Sequence, residues 1–311
     1  MAKILDSKSS GGVETAATEG FSLIPSEKLV AIYIAMKKGR MLQQRASALF
    51  QQGKLESDFH ASSGREACAA AVSIDLQPED TLSIAAGDWL PAFAKGLPIE
   101  TLFRALAHGA NGDDFSGDIE TKQLNILVHS HDNDQPEVVR ERAVAAHTEK
   151  KAAIVAAFLQ PVPESPSRWQ KVMSNAAANK LPVVFVHHVL DGPRFQPAST
   201  RSKSNTPQAL FHGVPTIGVD AADPVALYRV AYEAIVRARQ RRGATLLECA
   251  AIPRAVSPDS AEDANPAQPP DPVSTMETYL KRKGIQPEHL NRQVVAEFTR
   301  DIDLATGFLD H

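Results

Sequence analysis

Cysteine is nearly absent from this chain of 311 residues. Cys68 and Cys249 are its two, too few for a disulfide framework, and each sits in an Ala-rich run. Both therefore read as small buried apolar residues in a reducing compartment. No apolar run approaches the roughly 20 residues needed to cross a bilayer, and the amino-terminal stretch lacks an apolar signal segment. A cytoplasmic protein with no membrane association is expected. There is no excess of charge of one sign: 33 Lys and Arg face 37 Asp and Glu, for a net charge of −4. That balance argues against a broad nucleic-acid surface. No internal repeat is visible.

What is present is ordinary for a globular protein: 43% hydrophobic and 23% charged residues, on a chain long enough to bury a large core. Residues 1–22 are small and polar and read as a flexible tail, and residues 23–311 as a single α/β domain. Helical spacing begins at Pro25-Ser26-Glu27, with Ser26 as the expected N-cap, and runs through Leu29, Ile32, Met36, Leu42, Ala46, Leu49 and Phe50 to a stop at Gly53. A second helix covers Arg65 to Ala71 and ends before Pro78. Thr81–Ala85 is a short strand and 98–109 an amphipathic helix closed by Gly109. Asn111 to Asp118 is loop-like, 125–128 a strand, and 136–151 a charged helix entered through Pro136.

Residues 152–189 then read strand, turn, helix, strand, the second strand led by Leu181-Pro182. A Pro-, Ser- and Arg-rich surface loop fills 192–209. Val214–Asp220 is a strand, Asp223 caps a long helix with Pro224 at its first position, and Ala244–Cys249 is another strand. A Pro- and Asp-rich linker or surface loop at 255–272 leads to two closing helices at 274–283 and 287–308. Strands alternating with helices predict a mainly parallel sheet with helices on both faces. Ligands then sit beyond the carboxyl ends of the strands, which directs attention to the turn at Gln160-Pro161 and to the end of strand 183–188.

Three stretches carry a resemblance. The first holds Ala48-Leu49-Phe50-Gln51-Gln52-Gly53-Lys54-Leu55, then Phe59-His60 and Gly64-Arg65-Glu66-Ala67. The second is Ala176–Val186 with its Leu181-Pro182-Val183-Val184-Phe185-Val186 strand. The third joins Gly218-Val219-Asp220, Asp223-Pro224-Val225-Ala226, Ala238-Arg239 and Thr245-Leu246-Leu247-Glu248, followed by Asp271-Pro272 and Tyr279-Leu280. In this order they resemble the alpha subunit of the thiamine-diphosphate-dependent 2-oxo acid dehydrogenases, over most of residues 27–308. The resemblance implies a thiamine-diphosphate-binding-type α/β fold. It also implies thiamine diphosphate and Mg²⁺ as cofactors, and assembly as a homodimer or as a heterotetramer with a beta-type subunit. The family's activity is oxidoreduction at the oxo group of 2-oxo acids with a lipoyl disulfide as acceptor.

The departures fall on the cofactor contacts. Where the family has a Tyr-Arg pair on the diphosphate, this chain has Ala86-Gly87. Where it has Gly-Asp-Gly and Asn-Asn around Mg²⁺, the chain has Gln160-Pro161-Val162 and Val189-Leu190. The loop that carries a family histidine reads Arg254-Ala255-Val256-Ser257-Pro258. Mg²⁺ needs oxygen ligands, Pro161 and Val189 have no side-chain oxygen, and Pro161 also lacks the N–H that would help cradle a phosphate. These six degenerate positions (Ala86, Gly87, Gln160, Pro161, Val162 and Val189) imply a chain that does not bind the cofactor and serves assembly or regulation. An alternative is an active subunit whose metal is rerouted to Glu164, Asp191 or His188.

Other polar residues suggest weaker sites. His187 and His188 face opposite ways on a strand, so one metal cannot easily take both. His188 is a candidate for the residual cleft and His60 for its mouth, and these two are the catalytic candidates. His129-Ser130-His131-Asp132 puts His129 and His131 on one side of an extended segment, the weak metal candidate, in a pattern more common for a polar loop. A third reading of the chain is a small-ligand or metal-binding protein using a cleft around His129, His131 and His188. The acidic stretch Asp113, Asp114, Asp118 and Glu120 lacks calcium-loop spacing. Ser62, Ser63 and Ser257 lack a nucleophile elbow, and Arg201 and Lys203 form too short a basic loop for nucleic acid.

Overall fold

The structure is a computed structural model, and it describes residues 24–56, 65–108, 119–129, 134–149, 152–160, 166–189, 209–250 and 270–310. The tail, His60, the 111–118 loop, His131, Pro161, Val162, Glu164, Leu190, Asp191, most of the 192–209 loop and the 254–258 loop lie outside the described residues.

Helix α1 (Ser26–Gln51) buries Leu29, Ile32, Met36, Leu42, Ala46 and Leu49 of the expected stripe, but Phe50 is exposed, one position past Leu49 and so turned about 100° from the buried face. It stops at Gly53, whose φ of +69° suits a residue without Cβ. Its cap corrects the sequence reading: Pro25 holds the N-cap place and Ser26 is the first helical residue. Pro25 lacks an N–H and sits in extended backbone, which ends the chain's earlier path without any side-chain cap. Helix α2 (Arg65–Ser73) is buried along its whole length, as an Ala-rich helix must be when other helices cover it. Strand β1 (Thr81–Ala85), helices α3 (Leu90–Lys95), α4 (Ile99–Ala107) and α5 (Ile119–Gln123), and strand β2 (Ile126–His129) follow. Two short helices, α3 and α5, went unrecognised in the sequence, being too short to show a period.

Helix α6 (Gln135–Thr148), β3 (Val155–Leu159), α7 (Pro166–Ala178) and β4 (Val183–Val189) form the strand–helix–strand frame expected from 152–189. A hairpin then joins β5 (Ala209–Phe211) to β6 (Val214–Asp220). Its two turn residues, His212 and Gly213, both have positive φ, at 50° and 85°, as a tight two-residue hairpin demands. Helix α8 (Pro224–Arg239) starts as expected: the Asp223 carboxylate accepts from the N–H groups of Val225 and Ala226, with Pro224 at the first position. Strand β7 (Thr245–Ala250) and helices α9 (Pro272–Arg282) and α10 (Pro287–Thr306) complete the fold.

The strands form one sheet in the order β2-β1-β3-β4-β7-β6-β5, parallel except for the edge hairpin strand β5. Every residue of β3 and of β7 is buried, because helices cover both faces. On one face α6 and α7 bring Val139, Trp169 and Met173 onto Val155, Phe185 and Leu246, and the Trp169 and Phe185 rings meet edge to face at 6.1 Å. On the other, α1, α2, α8, α9 and α10 pack over Leu82, Ala156, Val184, Val186 and Leu247. Among the described residues, no helix is long and apolar enough to cross a membrane.

Candidate functional site

The chain runs from β1 outward to β2, then crosses back to place β3 on β1's other side. The connections leaving the carboxyl ends of β1 and β3 therefore diverge. Such a divergence opens a crevice, the place where parallel α/β sheets hold ligands. Four of the six degenerate positions converge there. Ala86 and Gly87 directly follow β1, Gln160 follows β3, and Val189 ends β4. Gly87 turns the chain at a φ of +88°, which delivers Asp88 and Trp89 back toward the core.

The dominant feature at this end is a residue pair the sequence reading did not single out. Arg65, the first residue of α2, donates from Nε to Oδ1 of Asp88 at 3.0 Å, and its Nη2 lies 2.5 Å from Oδ2. Both residues are almost fully buried, at 6% and 3% exposure. A two-pronged guanidinium–carboxylate contact is the strongest geometry open to such a pair. Among the described residues, the space beside it is a pocket of about 10 Å³, lined by Cys68, Pro91, Phe158, Val186 and His188. That is room for one water molecule at most.

Neighbouring polar groups are similarly committed. Glu66, the next residue of α2, is buried and paired to Arg40 of α1, which also holds the α9 cap Asp271 at 2.5 Å. Burial pushes the Asp271 carboxyl up, but hydrogen bonds from Arg40 and Ser274 outweigh it and pull the group down to about 2. Cys68 and Cys249 are both buried free thiols, as expected, and they meet: the Cys68 thiol is raised by burial and then by its hydrogen bond with Cys249.

The histidines separate. His188 is buried on the α2 side of β4, while His187 points to the other face, with Nδ1 3.7 Å from Oε1 of Glu248 on β7. His129 ends β2 on the His187 face, because Ala85 pairs with His129 and Leu159 with His187. The sheet thus divides His129 from His188, and the two do not line one cleft. Gln135 donates through Nε2 to Phe158 O (3.0 Å) and to Ser83 Oγ (3.2 Å). Ser83 Oγ lies 3.0 Å from His129 Nε2. The Ser83 hydroxyl thus links Gln135 to His129, and this contact occupies His129 Nε2. Among the described residues no group of three or more His, Cys, Asp or Glu side chains gathers as a metal ion requires.

These described residues do not fit Mg²⁺ with a diphosphate. Ala86, Gly87 and Val189 bring no side-chain oxygen to the strand ends, Gln160 brings one amide, and Asp88 is engaged by Arg65. The buried Arg65 guanidinium faces a carboxylate of the chain itself.

An open, mainly parallel α/β sheet with its crevice between β1 and β3 defines the class of protein. Comparison with known proteins narrows it. A family model described as "Dehydrogenase E1 component" matches residues 33–307. The chain is 26% identical over 305 residues to the pyruvate dehydrogenase E1 component subunit alpha of Staphylococcus aureus strain Mu50, covering 93% of this chain and 80% of that protein. The corresponding protein of Staphylococcus epidermidis strain ATCC 12228 gives the same figures. The chain belongs to the dehydrogenase E1 component family, the alpha-subunit family of the 2-oxo acid dehydrogenases.

Proposed function

We propose that this chain is an alpha-subunit-like member of the family that has lost thiamine diphosphate and Mg²⁺ binding and acts in assembly or regulation. It would do so as a homodimer, or in a heterotetramer with a beta-type subunit, in the cytoplasm. The observation that carries this reading is the crevice end itself. Ala86, Gly87, Gln160 and Val189 stand at three strand ends, and the nearby Arg65 guanidinium is taken up by Asp88. A diphosphate needs several donors or a metal at such a place, and the described residues supply neither. The preserved scaffold supports a role in which the fold matters more than the chemistry. Its stripe on α1, its capped α8 and its buried β3 and β7 all remain.

Isothermal calorimetry of the purified chain with thiamine diphosphate and Mg²⁺ tests this. No saturable heat is expected; micromolar binding overturns the reading. Size-exclusion chromatography with light scattering, run alone and with a beta-type subunit, tests the assembly role, and a monomer that ignores the beta subunit sinks it.

A further inference from the structure

At the amino end of the sheet, strands β4, β7 and β6 enter side by side. Val184 pairs with Thr245, and Thr216 with Leu246. The turns that feed these strands, at 179–182, 240–244 and 212–213, therefore lie along one edge at the strand spacing of about 4.8 Å. A Cβ on Gly243 would come within 3.5 Å of Lys180 Cα, and one on Gly213 within 3.2 Å of Ala177 Cβ in the last turn of α7. The three turns share a backbone feature. Lys180, His212 and Arg241 have φ of 51°, 50° and 57°, in the left-handed region that glycine enters without steric cost. Lys180 and Arg241 close α7 and α8 in the same way. The N–H groups of Lys180 and Leu181 donate to Ala177 O and Ala176 O, and those of Arg241 and Arg242 to Ala238 O and Arg237 O. Glycine is the usual residue at that place in such a cap.

Each left-handed position thus holds a basic side chain where the backbone favours glycine. The stretches 175–183, 209–215 and 236–245 that build this edge contain Lys180, His212, Arg237, Arg239, Arg241 and Arg242, and neither Asp nor Glu. Arg239 is engaged by Asp80. Lys180 and Arg242 are exposed, and His212, Arg237 and Arg241 partly so. Among the described residues no ion pair takes up Lys180, Arg237 or Arg242. The field at a helix carboxyl end favours a cation. That accounts for Lys180 and Arg241, but not for His212 in a hairpin, nor for three neighbouring turns without an acid. We propose that this edge is a docking face for an acidic segment of a partner protein. A row of cations at strand spacing offers several separate contacts, which suits carboxylates spaced along an extended chain. A nucleic acid is a poorer match, because the chain as a whole carries a net charge of −4 and repels so dense a polyanion beyond this edge. The inference is independent of the proposed cofactor loss, since the crevice lies at the carboxyl ends of the strands and this face at their amino ends.

Fluorescence anisotropy of the full chain with a labelled peptide of alternating Glu and Ser tests it, against the same peptide with Gln for Glu. The wild type is expected to bind the Glu peptide saturably, more weakly as salt is raised, and the Gln peptide without saturation. Lys180→Asn/Arg241→Asn removes two charges and keeps residues that accept a left-handed backbone. It should bind about fivefold or more weakly and melt no more than about 3 °C below the wild type. Arg292→Gln/Arg300→Gln, at exposed positions of α10, removes the same charge elsewhere and should bind as the wild type does. A wild type that treats the two peptides alike overturns the inference, as does a smaller loss in the Asn variant or an equal loss in both variants, which marks a bulk-charge effect. A larger fall in melting temperature for the Asn variant shows that the cations serve the helix ends, and overturns it too. A single-stranded oligonucleotide of equal charge is the competing class of partner: tighter binding of the oligonucleotide than of the Glu peptide overturns the choice of an acidic protein segment.

Discussion

Asp80 sits at the amino end of β1, opposite the crevice, and its carboxylate is fully buried. It accepts from Arg239 of α8, with Nη1 at 3.0 Å and Nη2 at 2.5 Å, from the N–H of Ile154 at 3.0 Å and from the N–H of Gln77 at 2.7 Å. One side chain thereby ties the entry to β1, the entry to β3 and the end of α8. Removing one partner of a buried ion pair costs about 3–5 kcal/mol, because the other charge is left uncompensated. Arg239 keeps bonds to Gln77 Oε1 and Ala152 O and is partly solvated, which favours the low end. Two orphaned backbone N–H groups add about 1 kcal/mol each. Asp80→Ala should therefore cost about 4–5 kcal/mol. Asp80→Asn keeps an acceptor oxygen and should cost about 2 kcal/mol. Urea unfolding followed by far-ultraviolet circular dichroism measures both, with the slope against urea checked for constancy. A loss under about 1 kcal/mol for Asp80→Ala would refute the reasoning, as would a double-mutant cycle with Arg239→Met showing no coupling.

Two further outcomes follow from the caps. Asp271 has its pKa pulled from 3.8 down to about 2 by Arg40 and Ser274, so between those values the unfolded chain binds more protons than the folded one. Stability from this group is present above about pH 4 and is lost as the pH falls toward 2. The stability gap between wild type and Arg40→Met should shrink across that window, and a gap that stays constant shows that the Arg40–Asp271 contact does not act as drawn. At the other cap, Asp223→Ala removes the acceptor for the Val225 and Ala226 N–H groups and should cost about 0.5–2 kcal/mol in urea unfolding, with Asp223→Ser recovering most of it; an Asp223→Ser variant as weak as Asp223→Ala would discount the cap.

The parallel sheet was legible because its strands are short apolar runs with helices between them, a pattern local enough to read residue by residue. Strands 81–85 and 214–220 fall where the apolar runs place them. The β5–β6 hairpin was not legible, for a specific reason. Its turn uses His212 at a φ of +50°, where hairpin turns more often announce themselves with Asn or Asp before Gly. Gly213 is the better signal in hindsight, since a Cβ there would come within 3.2 Å of the Ala177 Cβ. Ser26 is a cap by residue type alone; Pro25 already fixes the backbone that precedes the helix and leaves Ser26 inside the first turn.

At the crevice, position was legible and partnership was not. The order of motifs located Ala86-Gly87, Gln160 and Val189 at strand ends, since each follows or closes an apolar run. Nothing local in Gly64-Arg65-Glu66-Ala67 says that Arg65 will meet Asp88; that contact exists only once α2 lies across the sheet and Gly87 turns the chain back. A signal was nonetheless available. A guanidinium at the start of a helix that is otherwise buried must be paired, because an isolated charge there is prohibitive. The small, apolar character of 67–71, four Ala and Cys68, already required α2 to be covered. Searching for its carboxylate would have led to the residues after β1, where a short strand ends and the chain must turn inward. The same rule separates His187 from His188. Strand alternation put them on opposite faces, but only the β4–β7 register shows that His187 lies beside Glu248 and His188 beside Cys249. Burial of a charged group is thus the sequence-level clue that points past local pattern to tertiary contact, and in this fold it points to Arg65.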